Sequence, residues 1–379
     1  MRSLMYRLLL MGVLWLMSAT AQAHKASDSY LTVELSGNAV AVRWDIALRD
    51  LEFALPGGLD ADGNGEITWG ELRARHDALT AFALRGLSIE RGGACVLRPG
   101  TLQVDEHTDG AYAVLAFTGE CPAAHGEVSL RYGLLFEVDA LHRGLLNLKL
   151  DGAEHAAVFS PSRPAQQFTA GEVSRWSQFS QYVVEGVWHI WIGFDHILFL
   201  LALLLPAVLR HEDGGWRGVA RFGEALREVL WVVTAFTVAH SITLSLAALG
   251  VVALPSRFVE SAIAASVVVA ALNNLKPVVE HRRWMAAFGF GLIHGFGFAS
   301  VLAELGLPAG ALALSLFGFN LGVEIGQLVI VGVFLPAAFL LRHGAFYRRV
   351  IFIGGSLATV LLAAVWFAER ALDLRILGA

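Results

Sequence analysis

From Val183 onward the chain carries six apolar segments, at about 183–205, 229–251, 257–275, 284–303, 311–335 and 350–368. Each is close to the ~20 residues that an α-helix needs to cross a bilayer. No other feature narrows the fold as far. Lipid offers no partner for a backbone N–H or C=O, so a chain in the membrane must close its hydrogen bonds within helices or a sealed barrel. Segments of this length predict helices. The composition agrees, with 56% of 379 residues hydrophobic, only 16% charged, and a mean hydropathy of +0.58. We expect a six-helix transmembrane bundle over 183–370.

Charge in the connections sets the orientation. The loops after the first, third and fifth segments carry Arg210, Arg217, Arg221 and Arg227, then Lys276, Arg282 and Arg283, then Arg342, Arg348 and Arg349; those after the second and fourth hold only Arg257. Positive loops stay in the cytoplasm. The N-terminal half and the tail 371–379 are then extracytoplasmic, in a bacterial-type inner membrane. Residues 1–23 fit a signal peptide: Arg2 and Arg7, an apolar stretch over 8–17, and Ala21-Gln22-Ala23 as the cleavage site, leaving His24 first.

Residues 24–160 are more polar. Alternating segments at 30–35, 39–46, 111–117 and 128–136 read as strands, and 69–84 as one helix. This predicts a small β-rich, antiparallel, sandwich-like domain, with 161–182 as a linker. Its two cysteines, Cys95 and Cys121, lie where an oxidising compartment favours a disulfide.

Within that domain, Asp60-Ala-Asp62-Gly-Asn64-Gly65-Glu66-Ile67-Thr68-Trp69-Gly70-Glu71 fits the twelve-residue calcium loop of an EF-hand. Asp60, Asp62, Asn64 and a bidentate Glu71 would supply side-chain oxygens, Glu66 its carbonyl, Thr68 a direct or water-mediated contact, and Gly65 the sharp turn. Pro56-Gly57-Gly58 interrupts the approach to the loop, so we expect a structural Ca2+ site and no complete helix-loop-helix pair.

The apolar half holds ionisable residues that are costly in lipid. The first segment reads His189-Ile-Trp-Ile-Gly-Phe-Asp195-His196; on one straight helix Glu185, His189 and His196 fall within about 40° of one another, with Asp195 to the side. Counting ~1.5 Å per residue from each segment's end puts Asp195, His196, His240, His294, Asn320 and Glu324 near the middle of the bilayer. Separate groups would each carry a desolvation penalty, so convergence on a cation is the economical reading. Imidazole with carboxylate and no thiolate suits Ni, Co, Zn, Mn or Fe. The candidate metal ligands are His189, Asp195, His196, His240, His294 and Glu324. Asn320, Thr237 and Ser241 are candidates for hydrogen bonds that orient them. Gly318, Gly322 and Gly326 mark a close-packing face on the fifth helix, opposite Asn320 and Glu324, and Gly289, Gly291, Gly295 and Gly297 bracket His294.

The His189, Asp195, His196 spacing, the six helices and the glycine-flanked His294 resemble the HupE/UreJ family of membrane proteins associated with nickel or cobalt uptake. The likeness covers about half the chain. It implies that His189, Asp195 and His196 contact metal. Shorter members carry proline where this chain has Ile190 and lack a large exported domain, so the chain looks closest to a longer branch.

The expected function is transport or handling of a transition ion, with lipid and the metal as partners. A homo-oligomer, or a protein partner for the outer domain, is compatible with the sequence. Two alternatives stay open: an intramembrane metal-dependent hydrolase, and an assembly or signalling protein whose polar core is structural. A net charge of −5 argues against nucleic acid.

Overall fold

The computed structural model describes residues 28–107, 110–139, 142–171, 175–212, 215–279, 282–298, 309–372 and 376. The expected signal peptide, His24 and most of the tail lie outside these residues.

The N-terminal part is β-rich. β1 (Asp28–Ser36) and β2 (Ala39–Ala47) alternate inward and outward residues, so Leu31, Val33 and Leu35 face inward with Val40, Val42, Trp44 and Ile46. With β4 (Val96–His107), β5 (Gly110–Glu120), β7 (Arg143–Leu150) and β8 (Ala153–Phe159) they form a six-stranded sheet in the order β4-β5-β2-β1-β7-β8. β1 and β7 run parallel, so the sheet is mixed and not antiparallel throughout. The turn between β1 and β2 is too short to allow anything but an antiparallel pair, whereas β7 arrives from far along the chain and is free to run either way. A second sheet, β3-β6-β9, is built from Leu87–Glu90, Val128–Tyr132 and Ala165–Phe168. One apolar core joins both sheets, with Trp44, Phe117, Leu130, Tyr132, Leu148 and Phe159 at its centre.

Two local expectations change. Residues 69–84 form two helices, α2 (Trp69–Ala74) and α3 (His76–Arg85), because Arg75 leaves the helical region at φ −98°, ψ 7°. α1 (Leu48–Ala54) precedes the acidic loop. The segment 161–182 supplies β9 and the first part of α4 (Arg175–Ile192), so much of it is ordered secondary structure where a linker was expected. Cys95 and Cys121 are disulfide-bonded.

The C-terminal part is helical. α4 is followed by α5 (Phe194–Leu204), a short hairpin of β10 (Leu209–Glu212) and β11 (Gly215–Gly218), α6 (Phe222–Ala248), α7 (Ser256–Leu275), α8 (Arg283–His294), α9 (Ala309–Leu341) and α10 (Gly355–Leu372). A π-helical turn, Tyr347–Gly354, leads into α10. Among the described residues four helical stretches are long and apolar enough to cross a membrane; α4 and α5 make a fifth if the bent pair counts as one. The fourth expected segment, 284–303, is seen only as α8 and a 3-10 turn to Phe298, and its remainder lies outside the described residues. Trp231, Phe317, Val333, Leu340 and Leu361 are largely exposed, as a lipid-facing surface requires.

The β-domain rests on one end of the bundle. Leu145 and Val158 pack with Tyr182, Leu244, Ala248, Leu312 and Leu316, where α6 finishes and α9 begins. The opposite end carries the β10–β11 hairpin, with Arg342 donating to the Val219 carbonyl at 2.8 Å.

Candidate metal centre

Gly193 decides the shape of the site. α4 stops at Ile192 and α5 starts at Phe194 with the axis bent by 73°, so the straight-helix face expected for Glu185, His189 and His196 does not exist. Depths counted across 183–205 at a constant rise do not survive the bend either. The bend nevertheless brings the two imidazoles together, with ring centroids 4.5 Å apart. Only glycine fits at the corner. A Cβ on Gly193 would lie 2.7 Å from His196 Nδ1 and 2.9 Å from the His189 carbonyl.

Three histidines are held in one tautomer each. Asp195 Oδ1 accepts from the His196 backbone N–H and, as a carboxylate oxygen 2.9 Å away, also from His196 Nδ1–H. On α6, His240 Nδ1 lies 3.2 Å from Asn320 Oδ1 of α9. The Asn320 amide NH2 donates to the Leu316 carbonyl at 2.8 Å, which leaves Oδ1 as the acceptor and puts the proton on His240 Nδ1. On α8, His294 Nε2 lies 2.9 Å from Ser266 Oγ of α7, whose own proton goes to the Ile263 carbonyl at 2.6 Å. His294 Nε2 is therefore the donor. The remaining nitrogens, His196 Nε2, His240 Nε2 and His294 Nδ1, are buried and have no hydrogen-bond partner among the described residues. In a neutral imidazole each of these would be a lone pair.

Two of these histidines, His196 and His240, cluster with His189. Ligand nitrogens of His189, His196 and His240 lie within 4.8 Å of one another. Tetrahedral bonds of ~2.0–2.1 Å to nitrogen would place ligand atoms a little over 3 Å apart, inside the 4.8 Å limit that this set meets. His294 stands beside them, its ring centroid 5.4 Å from that of His196, with Phe199 and Phe236 against its other sides at 4.7 and 5.4 Å.

Other sequence candidates sit differently. Asp195 lies behind His196 as its hydrogen-bond acceptor, while Glu324 accepts from Thr234 at 3.1 Å and is not part of the converging set. Asn320 Oδ1 accepts from His240 Nδ1. Thr237 donates to Gln327 at 3.2 Å and Ser241 to the Thr237 carbonyl at 2.7 Å, both of them packing bonds. Ser266 escaped sequence reasoning because a lone serine on an apolar helix carries no signal. Arg370 Nη2 reaches within 3.9 Å of Asp195 Oδ2 from the end of the last helix.

Glycine sets how closely these helices approach. A Cβ on Gly186 would meet the Phe319 carbonyl at 2.0 Å, and one on Gly322 the Val183 carbonyl at 2.0 Å, so α4 and α9 touch backbone to backbone. The opposite face of α9 then presents Asn320 and Glu324 to α6.

In the β-rich domain, the loop 60–71 is organised by its own acids. Asp60 accepts from the N–H groups of Gly63 and Gly65, both at 2.8 Å, and Asn64 Oδ1 from Glu66 N–H at 2.7 Å. Gly65 has φ +86°, the left-handed turn that the loop motif reserves for glycine. Carboxylate oxygens of Asp60, Asp62 and Glu71 lie within 4.8 Å of one another. Hydrogen bonds from the Thr68 backbone and hydroxyl, then from Ala61, hold the Glu71 carboxyl down at about 2, so it is charged at any physiological pH. A third acidic set, Asp45, Asp105 and His107, already embraces a cation: Arg43 bonds both carboxylates, at 2.8 and 2.7 Å.

An apolar helical domain with a buried, tautomer-locked histidine set, capped at one end by a β-rich domain, defines an integral membrane protein with a polar centre. The family model described as HupE / UreJ protein matches residues 165–370, which is the helical part together with β9. The chain belongs to the HupE/UreJ family. A comparison with curated proteins finds no match.

Proposed function

We propose that this protein moves a transition-metal cation, nickel or cobalt in class, across the membrane through the histidine centre, in a bundle of six spans. Membership of the HupE/UreJ family supports the cargo. The single observation that carries the site is the locking of His196, His240 and His294 by Asp195, Asn320 and Ser266, each leaving a buried nitrogen lone pair unused. Neutral imidazoles backed by a hydrogen-bond acceptor make basic, oriented metal ligands. His189 completes the converging set. The seating of the β-domain on the end of the bundle away from the arginine-rich loops supports an extracytoplasmic position for that domain, with Ca2+ on Asp60, Asp62, Asn64, Glu66, Thr68 and Glu71.

Proteoliposomes loaded with a metal-sensitive dye and supplied with Ni2+ or Co2+ test the proposal. The parent is expected to accumulate the ion, and His240→Ala and His294→Ala to reduce the initial rate by about tenfold or more, at least the cost of losing a group that orients a metal ligand. A parent without flux, or flux indifferent to both substitutions, rejects transport through this centre. Stoichiometric binding without flux favours the hydrolase instead.

A further inference from the structure

The carboxylate behind the metal centre has a second neighbour. Asp195 Oδ1 is engaged by His196, while Oδ2 faces Arg370 Nη2 at 3.9 Å. Both side chains are about four-fifths shielded from solvent. Arg370 is held where it is. Its Nη1 donates to the Glu260 carbonyl of α7 at 3.4 Å, and its guanidinium lies 5.9 Å from the centroid of the buried Trp366 ring. Arg257 in turn donates to the carbonyls of Arg370 and Ala371, at 3.2 and 2.7 Å, which pins the end of α10 to α7. A long cationic side chain is thereby aimed into the bundle towards one acid.

Resting on the metal reading above, we infer that Arg370 is a resident cation that competes with the metal for the charge of Asp195 and so sets how tightly the centre holds its cargo. An unpaired buried carboxylate is costly when the site is empty, and the guanidinium removes that cost. When a divalent ion enters between His189, His196 and His240, Asp195 is the nearby negative charge that offsets it, acting through His196. Arg370 then opposes the ion by like-charge repulsion, and the ion leaves more readily. A carrier needs that: binding has to be favourable enough to load and weak enough to release. Arg370 is thus a positioning residue that acts through Asp195.

The test is Ni2+ binding to the purified full-length protein in detergent by equilibrium dialysis. Arg370→Gln is expected to bind Ni2+ about tenfold or more tightly than the parent, since a like charge in a partly shielded site opposes the ion. Arg370→Lys keeps the charge and is expected to stay near the parent. Asp195→Asn together with Arg370→Gln is expected to lose the gain. A purely structural role predicts the reverse, weaker binding in Arg370→Gln. If that variant does not fold, Arg370→Met, which keeps an apolar stem against Trp366, takes its place. Affinity unchanged or lowered in the neutral variant, with the lysine variant like the parent, overturns the competition. No Ni2+ binding by the parent overturns the metal reading itself, and this inference with it.

Discussion

Gly193 sets the corner that brings His189 and His196 together. Its φ of −70° is open to every residue, so the constraint is space: the corner between α4 and α5 leaves no room for a methyl beside His196 Nδ1 and the His189 carbonyl. Gly193→Ala is expected to push the two imidazoles apart, cost about 1–3 kcal/mol as overpacking does, and weaken Ni2+ binding by more than the stability loss explains. Thermal unfolding with and without Ni2+ checks both halves. If the variant gains the same thermal shift from Ni2+ as the parent, the corner is not what aligns the ligands. The hydrogen bonds behind the rings are as specific. Asn320 and Ser266 each have one polar function committed elsewhere, so each can only accept from its histidine.

At the scale of elements, the acidic loop sits between α1 and α2, and its own hydrogen bonds set its geometry. Thr68 and Glu71 form a reciprocal capping box at the start of α2, so the carboxylate that would chelate Ca2+ also starts the helix. Glu52 of α1 accepts from the N–H groups of Leu59 and Asp60, tying the approach to the loop. Millimolar Ca2+ is expected to raise the unfolding temperature of the full-length protein, with half-saturation near ~0.1–1 mM as in extracellular modules. Glu71→Gln is expected to abolish that rise. An equal rise in parent and variant, or none in the parent, removes Ca2+ from this loop. Elsewhere the close-packing glycine face of α9 is visible in the sequence, whereas its pairing with α4 and the break after Ile192 are not. A single glycine in an apolar run reads as close packing far more often than as a corner.

Over the whole molecule, the β-domain and the bundle are joined by apolar contact, and the domain has a pH dependence of its own. Burial holds His142 down to about 3, well below the usual 6.5, with its Nε2 2.6 Å from the Tyr132 hydroxyl in the core. Burial lowers His155 as well. The sign follows directly. Below pH 6.5 the unfolded chain takes up protons that the folded chain refuses, so stability is full above that pH and falls as the pH drops towards 3. For His142 alone the loss is at most about 1.4 kcal/mol per pH unit, or roughly 2 kcal/mol between pH 6.5 and 5. Denaturant unfolding followed by Trp fluorescence at pH 7, 6 and 5 measures it. A midpoint that does not move over that range sinks the prediction.

The sequence by itself determined the two-part organisation, the disulfide, the identity of most polar residues in the bundle and the family to which they belong. Those properties follow from residue type and local period: apolar runs must be buried or face lipid, alternation makes strands, and unmatched imidazoles in lipid demand partners. Only the tertiary structure decided which of those residues meet. Asp195 and Glu324 read in the sequence as candidate ligands beside the histidines; in the fold Asp195 accepts from His196 just after the bend and Glu324 accepts from Thr234. Ser266 and Arg370 were not legible at all, since each earns its role from a neighbour tens of residues away. The parallel pairing of β1 with β7 and the tautomer of each histidine are likewise long-range facts. They depend on contacts between distant segments, which no local pattern encodes.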